Sequence, residues 1–190
     1  FRRQALEALR QPLEEGRVTV SRASHSITYP ARCVLVAAMN PCPCGHLGDP
    51  GRACTCRPFD IQHYRARLSG PLMDRIDLHV EVPPVRAQDL ERPAGEDTAA
   101  VRARVEAGRA VQRARFEGVD GVHSNAQMPA RLVRRFCEPD EGGRTILRRV
   151  VDTLGMSART HDRILKVART VADLEGVERI STRHVAEAVQ

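Results

Sequence analysis

The chain contains no tryptophan, and aromatic residues make up only 3% of its 190 positions. A nucleic-acid surface built from stacked aromatic rings is therefore not expected, and any contact with nucleic acid would be mainly electrostatic. Lysine is almost as scarce: Lys166 stands alone, and Leu165 rather than glycine precedes it. A phosphate-cradling loop of the form G-x-x-x-x-G-K-[ST] is thus missing from these residues. So is an apolar strand ending in Asp-Glu of the kind that holds magnesium, and the 190 residues by themselves are not expected to hydrolyse a nucleoside triphosphate. No apolar run approaches the roughly 18 residues needed to span a bilayer, and no charged-then-apolar leader opens the chain. The expectation is a soluble, cytoplasmic protein with no membrane partner. Phe1 enters directly on a helical pattern, which leads us to expect further protein before it.

What is present suffices for one or two small domains, since 42% of residues are hydrophobic. Basic residues outnumber acidic ones 30 to 24, a net charge of +6, with the excess in the second half. Such an excess favours phosphate-bearing partners, while the dominance of arginine is equally what a GC-rich genome produces.

Along the chain, Ala5, Leu6, Ala8, Leu9 and Leu13 share a helical face that Pro12 should kink or split. Residues 17–20 and 26–29 alternate apolar and polar around the tip Ser21-Arg22-Ala23-Ser24-His25, the pattern of a hairpin. The continuous apolar run Cys33 to Met39 predicts a central parallel strand covered on both faces and ending at Asn40. Residues 59–68 have helical character, Ser69-Gly70-Pro71 breaks it, and Ile76 to Val82 alternates as another strand. Pro83-Pro84 opens a polar linker. After it every segment reads as helix: 98–116 with Val101, Val105 and Val111 on one side, then 129–137, 141–154, 157–174 and 181–189. Ser157 and Ser181 are the expected caps of the last two.

Four of the six cysteines form two C-x-C pairs, Cys42-Pro43-Cys44 and Cys54-Thr55-Cys56, separated by nine residues rich in Gly, Asp and Pro. Paired thiolates on two tight turns supply the soft ligands of a tetrahedral Zn²⁺ site with no open position, a staple rather than a reaction centre. An iron–sulfur cluster and unligated thiols are the competing readings, and a reducing cytosol disfavours disulfides. His46 lies within reach but receives no role, and Cys33 and Cys137 read as ordinary buried residues.

The run Val34 to Pro41, followed by Gly70-Pro71-Leu72-Met73-Asp74-Arg75-Ile76-Asp77-Leu78, resembles the core of the magnesium-chelatase and minichromosome-maintenance branch of AAA+ ATPases. With the Cys-Pro-Cys-Gly insertion between them and Leu9-Arg10-Gln11-Pro12-Leu13-Glu14 upstream, the resemblance narrows to the ComM-type (YifB-type) family and covers essentially the whole chain. The resemblance implies an α/β part followed by an all-α part. Residues 1–84 would be the C-terminal part of the AAA+ nucleotide-binding domain, with a hairpin at 17–29 and a zinc insertion at 41–57. Residues 85–97 would be a linker and 98–190 a helical lid.

It also implies roles. Asn40 matches sensor 1, whose amide sits by the γ-phosphate, against the plainer reading of an Asn that ends a strand. Arg75 matches the arginine finger that reaches a neighbour's ATP site, against a salt bridge to Asp74 or Asp77; Arg67 is a second candidate. Arg159, in the first turn after Ser157, resembles sensor 2. A cation there opposes the helix dipole unless an anion is near. Arg163 lies one turn on, with a solvated basic face as the alternative. Arg22 and His25 tip a hairpin similar to one that touches DNA. The implied cofactors are ATP and Mg²⁺, with structural Zn²⁺; the implied partners are a homo-hexamer and DNA. Two rival expectations are the motor subunit of a metal chelatase and a zinc-stapled nucleic-acid-binding module.

Overall fold

Pro12 has no amide hydrogen to donate to the carbonyl of Ala8, and the first helical stretch breaks there. The result is α1 (Arg3–Ala8) and α2 (Arg10–Glu15), joined at Leu9 one turn before the proline rather than at it. The structure, a computed structural model, describes residues 1–22, 25–85, 89, 95–155 and 157–189. Two of the tip residues, Ala23 and Ser24, and most of the expected linker lie outside them. The chain divides into two units, Phe1–Glu91 and Arg92–Gln190.

In the first unit, Gly16 ends α2 in the left-handed region and turns the chain into β1 (Arg17–Arg22). This strand pairs antiparallel with β2 (His25–Pro30), in register from Arg17 opposite Pro30 to Arg22 opposite His25. Hydroxyl pairs Thr19–Thr28 (2.9 Å) and Ser21–Ser26 (3.0 Å) lock that register on one face. Helix α3 (Pro58–Arg65) follows the cysteine segment, and α4 (Gly70–Met73) follows Ser69. The Ser-Gly-Pro sequence expected only to break a helix also starts one: the Ser69 hydroxyl accepts the Leu72 N–H, and Pro71 occupies the first turn where its missing N–H costs nothing.

The expected parallel sheet is not present. Among the described residues the only sheet is the β1–β2 ribbon. Residues 33–39 and 76–82 are not strands, and their apolar side chains stand in solvent: Val34 is 91% exposed and Val82 84%. A parallel strand exists only through the N–H and C=O groups of flanking strands, and neither segment finds a flanking strand here. Cys33, expected to be buried, is exposed for the same reason.

The second unit is helical throughout: α5 (Thr98–Arg115), a 3₁₀ turn (Asn125–Gln127), α6 (Ala130–Phe136), α7 (Glu141–Leu154), α8 (Ala158–Leu174) and α9 (Thr182–Val189). Side chains cap three of them, Asp97 accepting from Ala100, Asp140 from Gly143 and Ser157 from Thr160. Helix α8 is central, burying Ile164, Leu165, Ala168 and Ala172 against Leu132 and Val133 of α6, Leu147 of α7 and Val185 of α9. Asp140 serves two helices at once: beyond Gly143 it accepts from the Thr182 N–H (2.9 Å) and hydroxyl (2.8 Å) at the start of α9. Those N–H groups hold its carboxyl below the usual range. The approach is so close that a Cβ on Gly142 would fall 2.1 Å from the Thr182 hydroxyl. The valine stripe of α5 is not its buried face. Val101, Val105 and Val111 remain 37 to 43% exposed, whereas Gly108 and Gln112 are buried.

Under this core lies a buried polar network. The Asp173 carboxylate, with no exposed side-chain surface, accepts from Arg115, from Arg169 Nε (3.0 Å) and from Asn125 Nδ2 (2.8 Å). Asn125 in turn donates its backbone N–H to Gln112 (3.0 Å). Removing the carboxylate leaves two guanidinium groups without their anion, so Asp173→Ala is expected to destabilise the second unit by about 3–5 kcal/mol. Denaturant unfolding of that unit measures it; a change below about 1 kcal/mol would mean that the network carries no such weight.

Candidate metal centre and nucleotide-facing residues

The two C-x-C turns bring four sulfurs together. Cys42 Sγ lies 3.4 Å from Cys44 Sγ and 3.7 Å from Cys54 Sγ, Cys44 lies 3.6 Å from Cys54, and all four thiols, Cys56 included, fall within 4.8 Å of one another. Thiolates bound about 2.3 Å from a tetrahedral zinc stand about 3.8 Å apart, so the cluster has the size such a site requires. Its donors are all soft, and Cys42 is fully buried. N–H groups point at the sulfurs. The backbone N–H of His46, and next that of Thr55, pull the Cys44 thiol down to about 5, while burial pushes Cys56 up to about 12. The Cys44 N–H donates to Cys56 Sγ at 3.3 Å. The four cysteines fit a structural Zn²⁺, and His46 is not needed: its Nδ1 faces Asp49 at 3.3 Å.

Asn40 is exposed, two residues before the first ligand, and its side chain has no hydrogen-bond partner among the described residues. Arg75 has only 11% of its side chain exposed; its guanidinium is held by Glu14 of α2, with Nε 3.0 Å from Oε2, and by the Pro71 carbonyl. Nothing in the periodicity announced Glu14, which lies 61 positions away. Arg67 is exposed and rests 5.8 Å over the Tyr64 ring. Arg159 is exposed in the first turn of α8 and Arg163 is half-buried one turn on; both belong to the second unit, whereas Asn40 and Arg75 belong to the first. Arg22 and His25 face each other across the last pair of the hairpin, both exposed.

A four-cysteine knuckle in a unit of short helices and one two-stranded ribbon is followed by a helical unit, and similarity to known proteins places this order in an AAA+-like family. The family described as magnesium chelatase, subunit ChlI, matches residues 1–90, and the one described as the ChlI C-terminal part matches residues 95–190. The chain is 41% identical over 191 residues to Competence protein ComM of Haemophilus influenzae, covering 100% of this chain and 36% of that protein. It is 40% identical over 191 residues to YifB of Escherichia coli and to YifB of Salmonella typhimurium, again covering 100% of this chain and 36% of each relative. The chain belongs to the ComM/YifB branch of the magnesium-chelatase-like family. It spans about a third of the length of these relatives, 36% in each case. No helix among the described residues is long and apolar enough to cross a membrane.

Proposed function

We propose that this chain is the sensor-and-lid portion of a hexameric AAA+ ATPase that works on DNA, a branch-migration or helicase motor used in recombination and natural transformation. The single observation that supports it most is the likeness to Competence protein ComM along the whole chain, at 41% identity. In this reading Asn40 acts as sensor 1, orienting the attacking water beside a γ-phosphate, Arg159 with Arg163 acts as sensor 2 of the helical unit, and Arg75 completes a neighbour's site. Arg22 and His25 contact DNA phosphates, as polar tips do without reading sequence. The phosphate-cradling loop and the magnesium-binding acids belong to residues other than these. Cys42, Cys44, Cys54 and Cys56 hold zinc, which shapes the loop and takes no part in hydrolysis.

A second reading, the motor subunit of a metal chelatase, draws on the name of the matching family. DNA separates the two. The full-length protein is expected to hydrolyse ATP faster when DNA is added, and Asn40→Ala is expected to lower kcat by about 10²-fold, as loss of one positioned transition-state group does. An ATPase indifferent to DNA would favour the chelatase motor; full activity in Asn40→Ala would remove the sensor role.

A further inference from the structure

The cysteine knuckle lies beside Asn40, which precedes Cys42 by two residues. Gly45, the residue after Cys44, turns the chain back on itself with φ +84° and returns its N–H to the Cys42 carbonyl at 3.0 Å. A Cβ built on Gly45 would lie 3.8 Å from Asn40 Nδ2 and 3.9 Å from its Cγ, so the amide lies beside the turn, within reach of a single added methyl. From the other side, Arg65 at the end of α3 donates to the Pro41 carbonyl at 3.3 Å. Helix α3 itself begins at Pro58, two residues after the last ligand. The segment 40–41 is therefore held between the first turn of the knuckle and the helix that leaves the second.

We infer that the four-cysteine knuckle is the device that positions Asn40: with its metal bound it fixes Cys42 and the Gly45 turn, and with them the short segment 40–41 beside that turn. Asn40 follows an exposed segment without a strand partner and has no hydrogen bond of its own among the described residues. Gly45 is thus a positioning residue acting through Asn40. At φ +84° only glycine is at ease, and any side chain there also meets the amide.

The inference rests on the sensor reading of Asn40, and two readouts keep them apart. In the full-length ATPase, Gly45→Ala is expected to lower kcat by about 10²-fold with little change in KM, matching Asn40→Ala. The double variant should be no slower than either single one. Zinc content is measured alongside. Whether Gly45→Ala keeps its zinc or loses it, losses that multiply in the double variant, or a native kcat in Gly45→Ala, overturn the proposal. The second readout needs no activity. In the 190-residue chain, the side-chain NH₂ resonances of Asn40 should shift strongly when Co²⁺ replaces Zn²⁺, and should collapse toward unfolded-chain values when the metal is removed. Resonances indifferent to the metal overturn the positioning role. Metal-sensitive resonances with native kcat in Asn40→Ala would instead leave the positioning intact and remove the sensor role.

Discussion

Stripping the metal from the chain is expected to unfold residues 41–57 outright while the second unit keeps its melting transition unchanged. The knuckle has almost nothing else to hold it. Cys42 is the one fully buried side chain in the segment, and its neighbours are glycine, proline, aspartate and arginine, which bury little apolar surface. Metal binding to a structural zinc site contributes about 10–16 kcal/mol in small zinc-stapled folds, far more than any single contact in this chain. The second unit has its own core around α8 and needs no metal. Hydrogen exchange with and without a strong chelator checks this: the amides of His46 and Thr55, which face Cys44 Sγ, should lose protection, and those of α8 should not. Unaltered protection in the chelated chain would show that the thiols carry no metal.

Replacing Arg75 by alanine in the full-length protein is expected to cut ATP turnover by about 10³-fold or more, the scale of a guanidinium that stabilises phosphoryl transfer. Lysine should rescue little of it, because a point charge does not reproduce the planar fork. In the structure that fork is engaged by Glu14, so a finger role requires the guanidinium to exchange one carboxylate for a phosphate of the neighbour. The variant must therefore be compared with Glu14→Gln, which removes the competing anion and leaves the finger in place. If both variants lose activity alike, the pair acts as structure alone, not as a finger.

The helical unit was largely legible because its signals are local: periodic apolar residues place α6, α7 and α8 within a residue or two, and the Ser157 cap marks the start of α8. The hairpin was legible from alternation, and the four-cysteine cluster from cysteine spacing, since ligand chemistry leaves few other uses for four thiols on two turns. Misreadings came where structure depends on distant partners. The runs at 33–39 and 76–82 have strand composition, but a strand is defined by its neighbours. The α5 valines look like a core face, yet α8 packs on the opposite choice, Gly108 and Gln112, because the smaller residue lets the helices approach. The anchoring of Asp173 by Arg115, and of Arg75 by Glu14, joins residues 58 and 61 positions apart, and no short-range pattern carries that information. The approach of Asn40 to Gly45 was equally silent, although the glycine itself was visible in the Cys-Pro-Cys-Gly run.

The account depends most on Arg75 and Asn40 serving one ATP site from two different protomers. Full-length Arg75→Ala and full-length Asn40→Ala, each strongly slowed alone, should regain ATP turnover when mixed, because some boundaries then join an intact Arg75 to an intact Asn40. A mixture that stays as inactive as its components would contradict the shared site.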